Sequence, residues 1–295
     1  EANIQAIWIY RNLFVADHGA SLDDICIICS SDTHYCVDKA ANLLSIDVAR
    51  IQVDEATRIV PADAVEKIAK ELVDAGKKYF IVIVNMMTTM FGSVDDVTCY
   101  VDAIKKSGGE FRVHVDGAFG GFYCPFTDGD VSLNFSNPEV SSVTLDAHKM
   151  LQAPYGTGIF LARKGLMQYA VTKEASYVEG QDYTLIGSRS GANAIAVWMI
   201  LMKNGPQGWR DKIGLLQERT QWLCDRLDQS GVEYYRHPCS NIVTLRSGSI
   251  SKELAENYWL VPDDHENPAW YKIVVMEHVT IGKLEPFVIS LQQTG

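Results

Sequence analysis

Positive charge is scarce in this chain. Of its 295 residues 26 are Lys or Arg, against 37 Asp or Glu, for a formal net charge of −11. Nucleic acids and anionic membrane surfaces are gripped by clustered Lys and Arg, so the balance argues against both as partners. Long apolar runs are missing too. A membrane-spanning helix needs roughly 20 apolar residues, whereas the most prominent run, 79–84, has the length of a buried strand. The opening residues Glu-Ala-Asn-Ile-Gln contain neither the basic nor the apolar stretch of a secretion signal. Cysteines are seven, an odd number scattered among strand-like segments, which suits reduced thiols and a cytoplasmic setting rather than a disulfide framework. No internal repeat, low-complexity tract or charge run is present. What remains is a globular composition, 47% hydrophobic and 21% charged, long enough for one large domain or a large and a small one. Chemistry on a small molecule is the class of function left standing.

Short β-branched runs at 24–30, 48–53, 79–85, 112–116, 141–146 and 157–162 read as strands. Helical patterns lie between them at 34–45, 61–75, 93–106 and 191–203, with Pro61 at a first turn and Gly76 past an end. Strands buried between two helix layers form a mostly parallel sheet, so the expected class is α/β with helices on both faces. From Asn204 the texture changes. Asn-Gly-Pro-Gln-Gly is a breaker cluster, followed by a helix at 209–229, a strand at 240–246, a polar loop and a strand-helix finish. The expected division is a large domain at 1–203 and a small C-terminal α/β domain at 204–295.

In open α/β sheets ligands gather at the carboxyl ends of strands. Three such ends carry chemistry. Val113-His-Val-Asp116-Gly-Ala118 ends a strand in a carboxylate followed by small residues, which let a flat group approach the backbone. Val143-Thr-Leu-Asp146-Ala-His148-Lys149 delivers a lysine straight off a strand, ahead of the Gly-rich turn Tyr155-Gly-Thr-Gly158. Cys29-Ser-Ser-Asp-Thr-His34 places a histidine just after a strand. A lysine amine that condenses with an aldehyde, a carboxylate that keeps a pyridine nitrogen protonated and a histidine that stacks on the ring together suit pyridoxal phosphate, with Ala118 against the opposite ring face.

These segments, taken in order, resemble the group II pyridoxal-phosphate decarboxylases, which act on aromatic amino acids, glutamate and tyrosine. Glu1-Ala-Asn3 is similar to the end of that family's Gly-Gly-Thr-Glu-Ala-Asn element, and Ser31-Asp-Thr-His34-Tyr-Cys-Val-Asp-Lys-Ala to its stacking-histidine segment. Asp116-Gly-Ala-Phe-Gly-Gly resembles its Asp-Ala-Ala segment and Asp146-Ala-His148-Lys149 its lysine motif. The resemblance implies the pyridoxal-phosphate transferase fold (fold type I), Lys149 as the cofactor lysine, Asp116 as partner of the ring nitrogen, His34 as the stacking residue, and His148 as neighbour of the phosphate. Thr88 matches a Thr near the cofactor in the family's Gly-Thr-Thr turn. Met87 stands where that turn has Gly, which puts its local backbone path in question. Asp116-Gly117 replaces the commoner Asp-Ala. Tyr183 resembles a mobile-loop tyrosine that returns a proton to the substrate, and Arg189 is a fork suited to the substrate carboxylate. The resemblance also implies a homodimer with active sites at the interface, an L-amino acid as substrate, either aromatic such as tyrosine or acidic such as glutamate, and an element preceding Glu1. The chain is therefore expected to be a piece or processed product of a longer protein.

Blander readings exist for each residue. A strand-end Lys is ordinarily a surface residue and a strand-end Asp a turn cap, but the preceding His and following Gly turn favour a cofactor role for Lys149, and its presence strengthens Asp116. Arg189 could pair with a structural carboxylate instead. Cys26 and Cys29, three apart on a strand, point to opposite faces and read as buried hydrophobes rather than a metal or redox pair. His114 either hydrogen-bonds a neighbour or orients Asp116. Trp198, Trp209 and Trp222 sit at helical positions and read as packing residues. Competing activities on the same cofactor are a carbon–carbon lyase, a transaminase and an aldehyde synthase. A non-catalytic binding module is the reading from another class, and the intact Lys149, Asp116 and His34 speak against it.

Overall fold

The structure is a computed structural model that describes residues 1–127, 132–171 and 179–294. A long helix α1 (Ala2–His18) opens the chain. Strands and helices then alternate: β1 (Ile25–Ser30), α2 (Cys36–Leu44), β2 (Asp47–Ile51), α3 (Ala62–Asp74), β3 (Tyr79–Asn85), α4 (Val97–Ser107), β4 (Glu110–Asp116), β5 (Val140–Asp146) and β6 (Gly158–Ala162). The six strands form one sheet in the order β2-β1-β3-β4-β5-β6, with only β6 antiparallel to its neighbour. Every residue of β1 is buried, as a strand covered by helices on both faces must be. Expected and observed strands agree to within two residues at each end, because β-branched runs fully removed from water leave a strong sequence signal.

The sheet has two separate cores. One face packs against α3 and α4 through Val65, Ala69, Tyr100 and Ile104, and the other against α1 and α2 through Ile9, Phe14, Val37 and Ala40. Cys26 belongs to the first cluster and Cys29 to the second. Their sulfurs thus lie on opposite sides of the sheet, as the period of two requires, and burial pushes the thiols up to about 11 and about 12 respectively.

The second part of the chain begins with α5 (Gly191–Gln229). The breaker cluster does not end this helix but kinks it. Gly205 takes φ 59° and ψ 178°, outside helical space, and Pro206, which has no N–H to lose, restarts the helix. The division expected at 203/204 falls at this kink. Beyond it come β7 (Tyr234–Tyr235), β8 (Ile242–Arg246), α6 (Lys252–Asn257), β9 (Val261–Pro262), β10 (Trp270–Val274) and α7 (Ile281–Thr294). The four strands form an antiparallel sheet in the order β7-β8-β10-β9, and a core of Leu223, Leu227, Val243, Tyr271 and Phe287 joins it to α5 and α7. Ile213, Leu216 and Ile242 pack instead into the core of the large sheet, which ties the two parts together.

Of the three tryptophans expected to pack, Trp209 is buried and Trp222 sits against the small core, but Trp198 is 61% exposed. Its helical spacing was real; the face it occupies has no partner within the described residues of the chain. No helix among the described residues is long and apolar enough to cross a membrane.

Candidate active site

Parallel register brings the carboxyl ends of β3, β4 and β5 side by side: Asn85 pairs with Asp116, and Asp116 with Thr144. Over these ends lies a pocket of about 280 Å³, lined by His34, Thr88, Asp116, Ala118, Asp146 and Lys149 among others. Five residues expected from sequence, His34, Thr88, Asp116, Ala118 and Lys149, therefore converge on one volume, at or beyond the carboxyl ends of four different strands.

Asp116 is 8% exposed, and its carboxylate is held from two sides. Oδ1 accepts the Ala118 N–H at 3.1 Å and Oδ2 accepts the Asn3 amide at 2.7 Å. Gly117 lets the chain turn immediately after it: a Cβ there would lie 2.9 Å from the Thr144 carbonyl oxygen, so the Gly in place of the commoner Ala fits a close approach between the ends of β4 and β5. Beside it, Asn85 donates to Thr33 Oγ1 (2.8 Å) and Asp95 Oδ2 (2.6 Å), which fastens the end of β3 to the turn carrying His34. Burial raises the Asp95 carboxyl to about 7.

His34 sits just before α2, where its Nδ1 accepts the Cys36 N–H at 3.1 Å and its ring packs on Tyr35. Partial burial is the main cause that lowers its pKa, with Lys149 acting in the same direction and Asp116 opposing. The ring is neutral near neutral pH, a state suited to stacking. Lys149 directs its Nζ to Asp146 Oδ2 at 3.1 Å, and 39% of its side chain, which lines the pocket, is exposed. His148, next in chain, leaves the pocket: its Nε2 lies 3.8 Å from the same Asp146 oxygen and its ring meets Tyr155. Its Nδ1 is buried with no hydrogen-bond partner among the described residues.

Thr88 lines the pocket but engages its hydroxyl with Ser93 Oγ at 2.7 Å. Met87, in the position where the resembling turn has Gly, adopts φ 68°. The left-handed backbone of that turn is thus retained by a residue that bears its steric cost. Tyr183 and Arg189 lie in a second cleft, of about 650 Å³, which shares Glu1, Ala2 and Asp146 with the first pocket and also receives His148. The Tyr183 hydroxyl donates to Gln181 Oε1 at 2.5 Å, its carbonyl accepts from Gln5, and Arg189 pairs with Glu1 at 3.2 Å.

Sequence reading missed Lys272. It comes from β10 of the small sheet, lines the Lys149 pocket with Ile242 and Val274, and donates to the Thr89 carbonyl at 2.9 Å. Desolvation, then the proximity of Lys149, lowers its pKa. In the sequence it is one polar residue in Trp-Tyr-Lys-Ile-Val, with nothing to separate it from a solvent-facing strand position.

The residues fit pyridoxal phosphate. One pocket brings together a histidine ring, an alanine, a buried carboxylate and an amine, and its lining includes the apolar Met87, Phe119, Ile242 and Val274. The adjoining cleft is lined by His148, whose Nδ1 has no partner among the described residues, and by the first residues of α1, whose N-cap side chain makes no capping bond; a helix N-terminus suits a phosphate.

Similarity to known proteins shows the family and the fold. Residues 15–237 match the family profile described as the pyridoxal-dependent decarboxylase conserved domain. The chain is 51% identical over 295 residues to a tryptophan decarboxylase of Clostridium sporogenes, covering 99% of this chain and 70% of that protein. It is 31% identical over 299 residues to a probable L-tyrosine/L-aspartate decarboxylase of Methanocella arvoryzae, covering 99% and 76%. Among solved structures, a sphingosine-1-phosphate lyase of Burkholderia pseudomallei shares the fold with a TM-score of 0.84 at 21% identity, over 99% of this chain and 67% of that one. L-methionine decarboxylase from Streptomyces sp. 590 does so at 0.78 and 20% identity, over 99% and 76%.

Proposed function

Because the chain belongs to the pyridoxal-dependent decarboxylase family and is a pyridoxal-phosphate-dependent amino-acid decarboxylase, we propose that its substrate is an aromatic L-amino acid, converted to the amine in the Lys149 pocket. The observation that carries this reading is the pocket itself. Lys149, Asp116 and His34 share the pocket with Met87, Phe119, Ile242 and Val274, whose apolar side chains would bury an aromatic substrate side chain favourably. The 51% identity to a tryptophan decarboxylase supports the same choice over glutamate.

Bound pyridoxal phosphate supplies a sink for the electron pair released when the bond between Cα and the carboxylate breaks. In the proposed division of labour Lys149 is the amine that would hold the cofactor aldehyde, with Asp146 Oδ2 3.1 Å from its Nζ to orient it. Asp116, anchored on both oxygens, keeps a proton on the ring nitrogen. His34 covers one ring face and Ala118 the other. Thr88 shapes the pocket wall, and His148 with the start of α1 binds the phosphate. Tyr183 is the proposed proton donor to the substrate Cα, from the cleft that adjoins the pocket. Arg189 is the sequence-derived partner for the substrate carboxylate, and Lys272 is a second cation for it, already inside the pocket. A homodimer with the site at its interface is supported by an exposed apolar face on the first half of α5, where Ile195, Trp198, Met199 and Met202 are each more than half exposed.

Carbon dioxide release from tryptophan, tyrosine, phenylalanine, glutamate, aspartate and histidine, measured in parallel, tests the reading. The expected order places an aromatic substrate first by at least tenfold in kcat/KM, and preference for glutamate or aspartate would overturn it. Lys149→Ala is expected to lose both turnover and the near-visible absorbance of the bound cofactor.

A further inference from the structure

A line of hydrogen bonds runs from the interior of α1 through the sheet to Asp116. Tyr10 and Ser142 share a short hydrogen bond, Ser142 Oγ lies 2.6 Å from His114 Nδ1, His114 Nε2 lies 3.0 Å from Asn3 Oδ1, and Asn3 Nδ2 lies 2.7 Å from Asp116 Oδ2. Every link is buried: Tyr10, His114 and Ser142 are 0% exposed and Asn3 is 7% exposed.

The direction of each bond follows from the last. A carboxylate can only accept, so the Asn3 atom facing Asp116 is the amide nitrogen, and its oxygen faces His114. His114 must then donate from Nε2, which it shares with Thr144 Oγ1 at 3.0 Å. A neutral imidazole that donates at Nε2 accepts at Nδ1, so Ser142 donates its hydroxyl there and accepts from Tyr10. Burial drives the His114 pKa down to about 3, which keeps the ring neutral and allows only this one pattern. All four donors therefore point toward Asp116, and each bond polarises the next in a buried region.

We propose that Asn3 and His114 are positioning residues for the reaction: they hold the Asp116 carboxylate aimed into the pocket, and so set how firmly it would engage the cofactor nitrogen. The inference rests on the proposed role of Asp116. It assigns work to the strand-interior histidine two residues before the carboxylate, which acts on it through the asparagine in the first turn of α1.

The test loads the enzyme with pyridoxal phosphate labelled with 15N at the ring nitrogen. It records the 15N chemical shift, the dissociation constant of the cofactor by fluorescence titration, and kcat and KM, for wild type, Asp116→Asn, Asn3→Leu, His114→Phe and His114→Gln. A lost hydrogen bond to a charged group corresponds to roughly 10- to 100-fold. Asn3→Leu and His114→Phe are expected to move the 15N shift toward the unprotonated nitrogen, weaken cofactor binding and lower kcat on that scale, with KM little changed. His114→Gln, which can donate and accept at the same places, is expected to recover most of each. Should His114→Phe fail to fold by circular dichroism, Asn3→Leu carries the comparison, since Asn3 borders the pocket and its replacement opens no closed cavity. If Asn3→Leu keeps the wild-type shift and affinity while Asp116→Asn loses both, the inference is overturned and the role of Asp116 stands. If Asp116→Asn also keeps the wild-type shift, the role of Asp116 falls, and the inference with it.

Discussion

Met87 shows how a single residue can depart from a pattern without departing from a structure. The turn after β3 needs a left-handed residue, which Gly supplies freely and Met adopts at a cost of about 1–2 kcal/mol. The side chain is 5% exposed, and burying a Met contributes about 1.5–3 kcal/mol. A glycine would add about 0.5–1 kcal/mol of chain entropy to lose on folding. Burial outweighs strain, so Met87→Gly is expected to lower stability by about 1–2 kcal/mol, read as an earlier midpoint in urea unfolding. A midpoint at or above wild type would show that the strain dominates. At this scale Lys149, Asp116 and His34 were legible because each follows directly from a strand end. Lys272 and the link from Asn3 to Asp116 were not, because they depend on what lies across the pocket, 123 and 113 residues away in the chain from Lys149 and Asp116 respectively.

The elements of the large sheet were readable for a different reason. Strands covered on both faces must be apolar throughout, so their runs stand out from the amphipathic helices between them. The helix α5 was harder. Gly205 and Pro206 carry a strong local signal for a break, but tertiary contacts on both sides of it reduce the break to a kink: Trp209 and Ile213 are buried just beyond, and Val197 and Ile200 pack near Trp209. Gly205→Ala isolates the backbone part of this. An added Cβ meets nothing within 4 Å, so the clash contribution is nil and only φ 59°, ψ 178° opposes the alanine. That region costs a residue with a Cβ about 1–3 kcal/mol. The expected result is a melting temperature several degrees lower with an unchanged far-ultraviolet spectrum, and an unaltered melting temperature would mean the kink tolerates ordinary helical geometry.

Over the molecule as a whole, the small antiparallel sheet is docked on the large one so that Ile242, Lys272 and Val274 close the pocket of Lys149. The exposed side of α5 stands out against this otherwise well-covered core. Trp198 and Met202, four apart on one helix face, are 61% and 65% exposed. Apolar patches of this kind mark association surfaces, and the proposed homodimer would cover them. Charging both positions with Trp198→Lys and Met202→Lys is expected to shift the protein from dimer to monomer in sedimentation velocity and to reduce activity with it. A wild-type chain that sediments as a monomer, or a double variant that still sediments as a dimer, would count against that assembly.

Local chemistry along the chain was sufficient to determine the α/β class, the strand ends that bear Lys149, Asp116 and His34, and the opposite facing of Cys26 and Cys29, because strand periodicity and burial act over a few neighbouring residues. Tertiary structure alone decided which side chains face the same space. It joined Asn3 and His114 to Asp116, placed Lys272 opposite Lys149, sent Tyr183 and Arg189 to the adjoining cleft, and left Trp198 outside. Hydrogen bonds and desolvation depend on distances of a few ångströms between elements, and those distances exist only once the sheet, its helices and the small domain have packed together.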